Sequence, residues 1–341
     1  PLREALRPMS PYGAPQVLAQ ASLNTNENPY SPSPALQKAI TESVAKVAAE
    51  LNRYPDRDAT VLRTKLANYI NELSGTKFSA DNVWAANGSN EIIQSIFLAF
   101  AQGLVLGFTP SYSMHPLIAK VTGAQWIDGK RNADFSLDTS AAIVEIEKHK
   151  PTLTFITTPN NPTGGAITID EIQLLADACK AVGGLLVVDE AYAEFSQEKS
   201  AVTLIANNPH VLVIRTMSKA FAFAGARVGY LVSDVAVKDA MMIVRLPYHL
   251  SALTQASAQV AIDHRAELLG GVATIIAARE SVVLALHDMG LTTITSSANF
   301  VLFSGFKQEA PQLWAALLEK GVLIRDVGLS GYLRVTIGNE A

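Results

Sequence analysis

"TLTFITTPNNPTGGAITIDEIQLLADACKAVGGLLVVDEAY", residues 152–192, contains a complete strand, loop, helix and strand. TLTFITT (152–158) is a short apolar run of the kind that makes a buried strand. PNNPTGG (159–165), with two prolines and paired glycines, continues neither periodic structure. Thr168 then stands as the N-cap of a helix, with Glu171 three residues on as its capping-box partner. Ile172, Leu175, Ala176, Cys179 and Val182 fall at helical spacing, and Gly183 stops the helix. LLVVDEAY (185–192) is the next buried strand, so the segment reads as a βαβ unit of a parallel sheet covered by helices.

The pattern extends in both directions. Upstream, NVWAANGSNEIIQSIFLAFA (82–101) reads as a strand, a turn at Asn87-Gly88-Ser89 and a helix; downstream, VLVIRT (211–216) and RVGYLVS (227–233) are two more strands. After about residue 245 the pattern changes to a helical region from Ala252 to about His287, then short strands in SANFVLF, LIRDV and YLRVTI. The expected architecture is α/β: an N-terminal arm at 1–30, rich in Pro, Asn and Tyr, and a large domain at 31–245 with a mostly parallel sheet between helices. A smaller α+β domain at 246–341, completed by the N-terminal segment, finishes the chain.

The 341 residues are 49% hydrophobic and 17% charged, which suits a globular chain with a large core. With 27 Lys and Arg against 31 Asp and Glu, the net charge of −4 offers no basic field for a nucleic acid, so an anionic ligand needs a local basic pocket. Cys179 is the only cysteine, which excludes an internal disulfide and a thiolate metal cluster; it falls on the apolar stripe of its helix, and the cytoplasm is the expected compartment. No apolar run of about 20 residues is expected to span a membrane. Pro1 to Tyr12 lacks a signal-peptide core. The six histidines show no metal spacing and read as ordinary core or surface residues, and no nucleotide-loop or zinc-protease motif occurs.

Functional groups of open α/β sheets collect at the carboxyl ends of the strands. Four distant segments send polar groups there: Asn160 and Asn161 after one strand, Asp189 at the end of another, Lys219 after a third, and Gly88 and Ser89 opening a helix after a fourth. Lys219, in TMSKAFAFAGARVGY (216–230), has no charged neighbour before Arg227. A lysine among apolar groups has its charged form disfavoured and can form a Schiff base with an aldehyde. The helix start at Gly88 and Ser89, with Ser218 and Arg227, suits a phosphate. Asp189 can keep a pyridine nitrogen protonated. Aldehyde, phosphate and pyridine nitrogen are the three handles of pyridoxal 5′-phosphate.

NPTG (161–164), VVDEAY (187–192) and SKAF (218–221) followed by Arg227 resemble the fold-type I pyridoxal-phosphate-dependent aminotransferases over nearly the whole chain. LNTNENPY (23–30), LNRYPDRDATVLRTKLA (51–67), NGSNEII (87–93), TPSYSMH (109–115) and GVLIRDVG (321–328) look like the histidinol-phosphate aminotransferase branch. The resemblance implies that Lys219 binds the cofactor aldehyde and then carries the proton. It further implies that Asp189 pairs with the pyridine nitrogen, that Asn161 and Tyr192 bond the ring hydroxyl oxygen, and that Tyr112 stacks on the ring. Gly88, Ser89, Asn90, Ser218 and Arg227 would hold the phosphate with Thr216 helping, and Tyr54 would reach the neighbouring subunit's phosphate in a homodimer with shared active sites. Arg334 matches the substrate-anion arginine, with Arg325 nearby and Tyr12 and Asn26 closing the pocket from the arm.

The implied reaction moves an amino group between L-histidinol phosphate and 2-oxoglutarate, so the partners are a small-molecule amino donor and a keto-acid acceptor. An aromatic-amino-acid aminotransferase shares every catalytic residue. A phosphate-amino-acid decarboxylase would release carbon dioxide, and a non-catalytic regulator would not need Lys219 with Asp189. The chain departs from the family pattern in two places: AFAQGLVLGF (99–108) lacks a longer glycine- and proline-containing turn, and the sequence stops at IGNEA, short of the expected final helix.

Overall fold

The computed structural model describes residues 1–340. In chain order the strands are β1 (Ala21–Ser22), β2 (Val83–Ala86), β3 (Leu104–Thr109), β4 (Gln125–Lys130), β5 (Leu153–Thr157), β6 (Leu185–Asp189), β7 (Val211–Thr216), β8 (Gly229–Val232), β9 (Thr292–Thr293), β10 (Phe300–Ser304), β11 (Val322–Leu323) and β12 (Leu333–Thr336). The helices are α1 (Pro34–Ala48), α2 (Thr60–Ser74), α3 (Ser89–Phe100), α4 (Met114–Thr122), α5 (Thr139–His149), α6 (Ile169–Ala181), α7 (Val235–Val244), α8 (Ala252–Asp263), α9 (Arg265–Asp288) and α10 (Ala310–Glu319).

A seven-stranded sheet in the order β2-β8-β7-β6-β5-β3-β4 forms the centre, parallel from β7 to β4, with β8 antiparallel to both of its neighbours. Except for the edge strand β4, its strands are largely buried on both faces, as a parallel sheet covered by helices requires. The two-residue period divides the core. Val211 and Val213 of β7 enter one cluster with Leu62, Leu66 and Leu175, whereas Leu212 and Ile214 enter another with Ile92, Ile96 and Phe155. Helix α6 begins at Thr168 with both capping-box bonds to Glu171 in place, and Cys179 is fully buried. The turn from α3 to β3 is only three residues, 101–103, so the missing longer turn is absorbed without disturbing the sheet.

The second layer of structure is a β12-β10-β9 antiparallel sheet carrying α9 and α10. The arm joins it: β1 pairs with β11, and Thr336 N donates to Leu23 O. The helical region read as continuous is two helices, broken at His264. Ala258, Ala261 and Ile262 of α8 share the core of α1 and α2, although they follow residue 245. By overall length and composition α9, with 24 residues, is apolar enough to cross a membrane, although Arg265, Glu267, Arg279 and Glu280 divide it into shorter apolar runs. In the fold, Leu268, Val272, Ile275 and Arg279 form its buried stripe, and Val272 and Ile275 pack with Phe195 and Phe300.

Candidate active site

Because β8 runs against its neighbours, its first residue, Gly229, lies level with the last residues of β2 and β7, Ala86 and Thr216. The ends of β2, β3, β5, β6 and β7 therefore face one open cleft of about 580 Å³, lined among others by Tyr12, Asn26, Ser89, Asn90, Tyr112, Asn161, Asp189, Tyr192, Thr216, Ser218, Lys219, Arg227, Arg325 and Arg334. Gly88 is buried directly behind Ser89. Tyr54 is the exception: it is 80% exposed, outside the cleft, and stacked on Tyr248 with ring centroids 4.4 Å apart.

Lys219 follows β7 on a turn between two apolar residues, Met217 and Phe221, that are buried. Its Nζ donates to Thr25 O at 2.8 Å and has no carboxylate within ion-pair range among the described residues. Burial, reinforced by Arg334 and Arg227 and opposed by Glu27, lowers its pKa from 10.5 to about 8. A fraction of this amine is thus neutral and nucleophilic at ordinary pH, as a carbonyl-trapping lysine requires.

Asp189 closes β6 and is 2% exposed. Its Oδ1 accepts from Ala191 N at 3.2 Å, and Oδ2 lies 3.1 Å from His115 Nε2. The histidine, itself 2% exposed, also meets the Tyr112 ring edge-on at 5.4 Å. With its proton on Nε2 it donates to the carboxylate and orients it toward the cleft. The reading of all six histidines as ordinary is corrected here: His115 supports two cleft residues at once. The usable signal was its place three residues after Tyr112, one turn along the start of α4.

The helix start at Gly88 is built to hold an anion. Gly88 is the N-cap of α3 with φ 81° and provides no side-chain cap, so the first N–H groups of the helix are left for a ligand. A Cβ on Gly88 would lie 2.6 Å from Arg227 Nη2, and one on Gly229 would lie 2.5 Å from Ser89 N. Both glycines are needed for the arginine and the helix end to converge. Ser218 Oγ bonds Thr216 Oγ1 at 3.0 Å and accepts from Arg227 Nη1 at 3.4 Å. Asn90 Oδ1 accepts from Tyr112 OH at 3.0 Å. These donors fit a phosphate, and Asp189 and Lys219 across the same cleft fit the pyridine nitrogen and aldehyde of the group expected from the sequence.

Arg334 and Arg325 form the opposite wall. Their backbones pair through two hydrogen bonds, Arg325 N to Arg334 O at 3.0 Å and the reverse at 2.9 Å. Arg334 is 6% exposed, so it is not the surface ion pair that an arginine on a short strand would usually make. It bonds Asn161 Oδ1 and Asn24 O, lies 5.0 Å from the Phe300 ring centre, and leaves its buried Nε without a partner. Burial is the main cause that lowers its pKa to about 10. Since arginine only donates, Asn161 turns Oδ1 to it and its Nδ2 elsewhere. Tyr192 OH accepts from Asn26 Nδ2 at 2.8 Å, keeping its own proton available, and burial raises its pKa to about 12. Asn26 itself has φ 57°, a conformation asparagine tolerates, and Thr336 and Asn299 hold it there. No group of His, Cys, Asp and Glu among the described residues can hold a metal ion.

The family model for aminotransferase class I and II matches residues 19–341. A relative from Mycolicibacterium vanbaalenii, named histidinol-phosphate aminotransferase, is 54% identical over 99% of this chain and 91% of its own. Among solved structures, the histidinol-phosphate aminotransferase of Sinorhizobium meliloti in complex with pyridoxal-5′-phosphate superposes with a TM-score of 0.83 at 22% identity, covering 95% of this chain and 88% of that one. The L-threonine-O-3-phosphate decarboxylase of Porphyromonas gingivalis gives 0.79 at 20% identity, over 94% and 95% of the two chains. At these identities the two structures bear on fold alone.

Proposed function

The chain belongs to the class I and II aminotransferases, and on that premise we propose that it moves an amino group between L-histidinol phosphate and 2-oxoglutarate, giving imidazole-acetol phosphate and L-glutamate, a step of histidine biosynthesis. The observation that carries the reaction class is Lys219, a half-buried amine with a lowered pKa in the same cleft as Asp189 and an uncapped helix start. The substrate follows from the relative that is 54% identical over nearly the full length.

Pyridoxal 5′-phosphate, the cofactor of this family, supplies an electron sink for the carbanion left when the substrate α-proton departs. The α3 N–H groups of Ser89 and Asn90, beside Gly88, would hold its phosphate with Thr216, Ser218 and Arg227. Asp189 would pair with its ring nitrogen, Asn161 Nδ2 and the Tyr192 hydroxyl would bond its ring oxygen, and Tyr112 would offer an aromatic face. Lys219 Nζ, released from its carbonyl contact with Thr25, takes the α-proton and returns it as general acid. Arg334, with Arg325, holds the carboxylate of one substrate and the phosphate of the other, because a planar guanidinium pairs with either. Tyr12 and Asn26 close the pocket from the arm, restricting water. The active unit is a homodimer in which Tyr54, exposed and away from its own cleft, serves the partner subunit. The cytoplasm, where buried Cys179 stays a free thiol, is the place of work.

Single-turnover absorbance tests the reading. Cofactor-loaded protein mixed with L-histidinol phosphate, without keto acid, is expected to lose its visible band faster and at lower concentration than with L-phenylalanine. Preference for phenylalanine would make the chain an aromatic aminotransferase, and release of carbon dioxide would make it a decarboxylase.

A further inference from the structure

On the face of the sheet turned away from Thr216 lies a buried ion cluster that the chemistry above does not use. Arg215 Nε is 2.9 Å from Glu190 Oε2, an ion pair without hydrogen-bond alignment, and its Nη1 donates to Glu194 Oε1 at 2.9 Å; the three side chains are 2%, 3% and 6% exposed. Arg215 Nη2 donates to Ser200 Oγ at 3.0 Å, and Ser200 Oγ donates to Glu190 Oε2 at 2.7 Å. Ala201 N donates to the other Glu190 oxygen at 2.6 Å, and Tyr69 OH donates to Glu194 Oε1 at 3.2 Å. The two carboxylates keep the Arg215 pKa above its ordinary value in spite of burial.

The positions of these residues in the chain give the cluster its meaning. Glu190 follows Asp189, Glu194 is two residues beyond Tyr192, and Arg215 precedes Thr216, four residues before Lys219. One guanidinium therefore ties the turn that carries Asp189 and Tyr192 to the strand end that carries Lys219. Tyr69 extends the tie, since its ring also meets Phe221, two residues after Lys219, edge-on at 5.3 Å. Cohesion alone does not call for such a cluster. Three buried charges lose hydration that apolar side chains of similar size do not, and replacing an intact buried ion network with such side chains is often neutral for stability. A planar fork does supply fixed geometry, here bonding Glu194 directly and Glu190 through the Ser200 hydroxyl.

We propose that Arg215, through Glu190 and Glu194, is a positioning residue that sets Asp189 and Tyr192 relative to Lys219. The inference rests on the reading of those three as cofactor-facing groups.

The test is the triple variant Glu190→Gln, Arg215→Met, Glu194→Gln, which removes all three charges together. Measured on it would be the thermal melt, pyridoxal 5′-phosphate affinity by quenching of tryptophan fluorescence, the pH midpoint of the cofactor's visible band, and kcat and KM for the amino donor. The expected result is a melt close to that of the parent, a shifted band midpoint, and kcat lower by about tenfold or more with KM nearly unchanged. A parental kcat, cofactor affinity and band midpoint would overturn the proposal. Should the triple variant fail to fold, Arg215→Lys decides, since it keeps the charge and loses the fork. It is expected to shift the band midpoint and lower kcat, and parental values for both would overturn the proposal. The band and affinity need no substrate, so a wrong amino donor sinks only the substrate assignment, whereas a parent chain that binds no pyridoxal phosphate overturns both readings.

Discussion

Arg215 and Arg334 are both nearly sealed from solvent, at 1% and 6% exposure, and their surroundings are opposite. Arg215 is held by two carboxylates, which raise its pKa. Arg334 has only neutral acceptors, and burial lowers its pKa to about 10. A buried cation with its counter-ions inside the protein is part of the framework. A buried cation without them stands on the wall of the cleft beside a second arginine, and in the proposed function the substrate anion would supply its complement.

The sharpest way to break that contrast is Arg334→Met, which keeps volume and removes charge. KM for the amino donor and for the keto acid is expected to rise together by roughly 30- to 100-fold, the scale of losing about 2–3 kcal/mol of charge-assisted bonding. The melting temperature should fall modestly, because no internal ion pair is broken but the bonds to Asn161 Oδ1 and Asn24 O are lost. An unchanged KM for the phosphorylated donor would place the anion elsewhere.

A smaller effect is expected on the paired side of the cleft. His115→Phe removes the contact to Asp189 Oδ2 while leaving the Ala191 N–H on Oδ1. Loss of one hydrogen bond to a charged group predicts a kcat lower by about tenfold, with substrate KM near parental. An unchanged kcat would assign His115 to packing alone.

The smallest effect concerns stability. The folded pKa of Lys219, about 8, lies below its ordinary 10.5, so between these values the unfolded chain binds more protons. The penalty for burying the ammonium is full below pH 8 and is lost as the pH rises toward 10.5. Cofactor-free Lys219→Met should therefore melt roughly 2–4 °C above the parent at pH 7. The gap should close by pH 10.5, and a gap independent of pH would show that the ammonium is not the cause.

These contrasts were unequally visible beforehand. The helix at Thr168 was legible because a capping box, an apolar stripe and a stopping glycine act within a few residues of one another. The cleft was legible too, because sheet strands deliver their following residues to one edge whatever the loops do. The break between α8 and α9 at His264 was not, since no proline or glycine marks it. His115 was also missed: nothing near it in sequence names Asp189, 74 residues away, and only the packing of α4 against the sheet brings them to 3.1 Å.

By itself, then, the sequence determined the α/β pattern, the family resemblance and the lysine, aspartate and helix start of the site, because each is written in local periodicity or in a short motif. Tertiary structure alone decided which charges are paired. Glu190, Glu194 and Arg215 meet, and Arg334 is left unmatched, because the sheet places residues from distant segments within ångströms of one another, and Coulomb interactions depend on that distance rather than on separation along the chain.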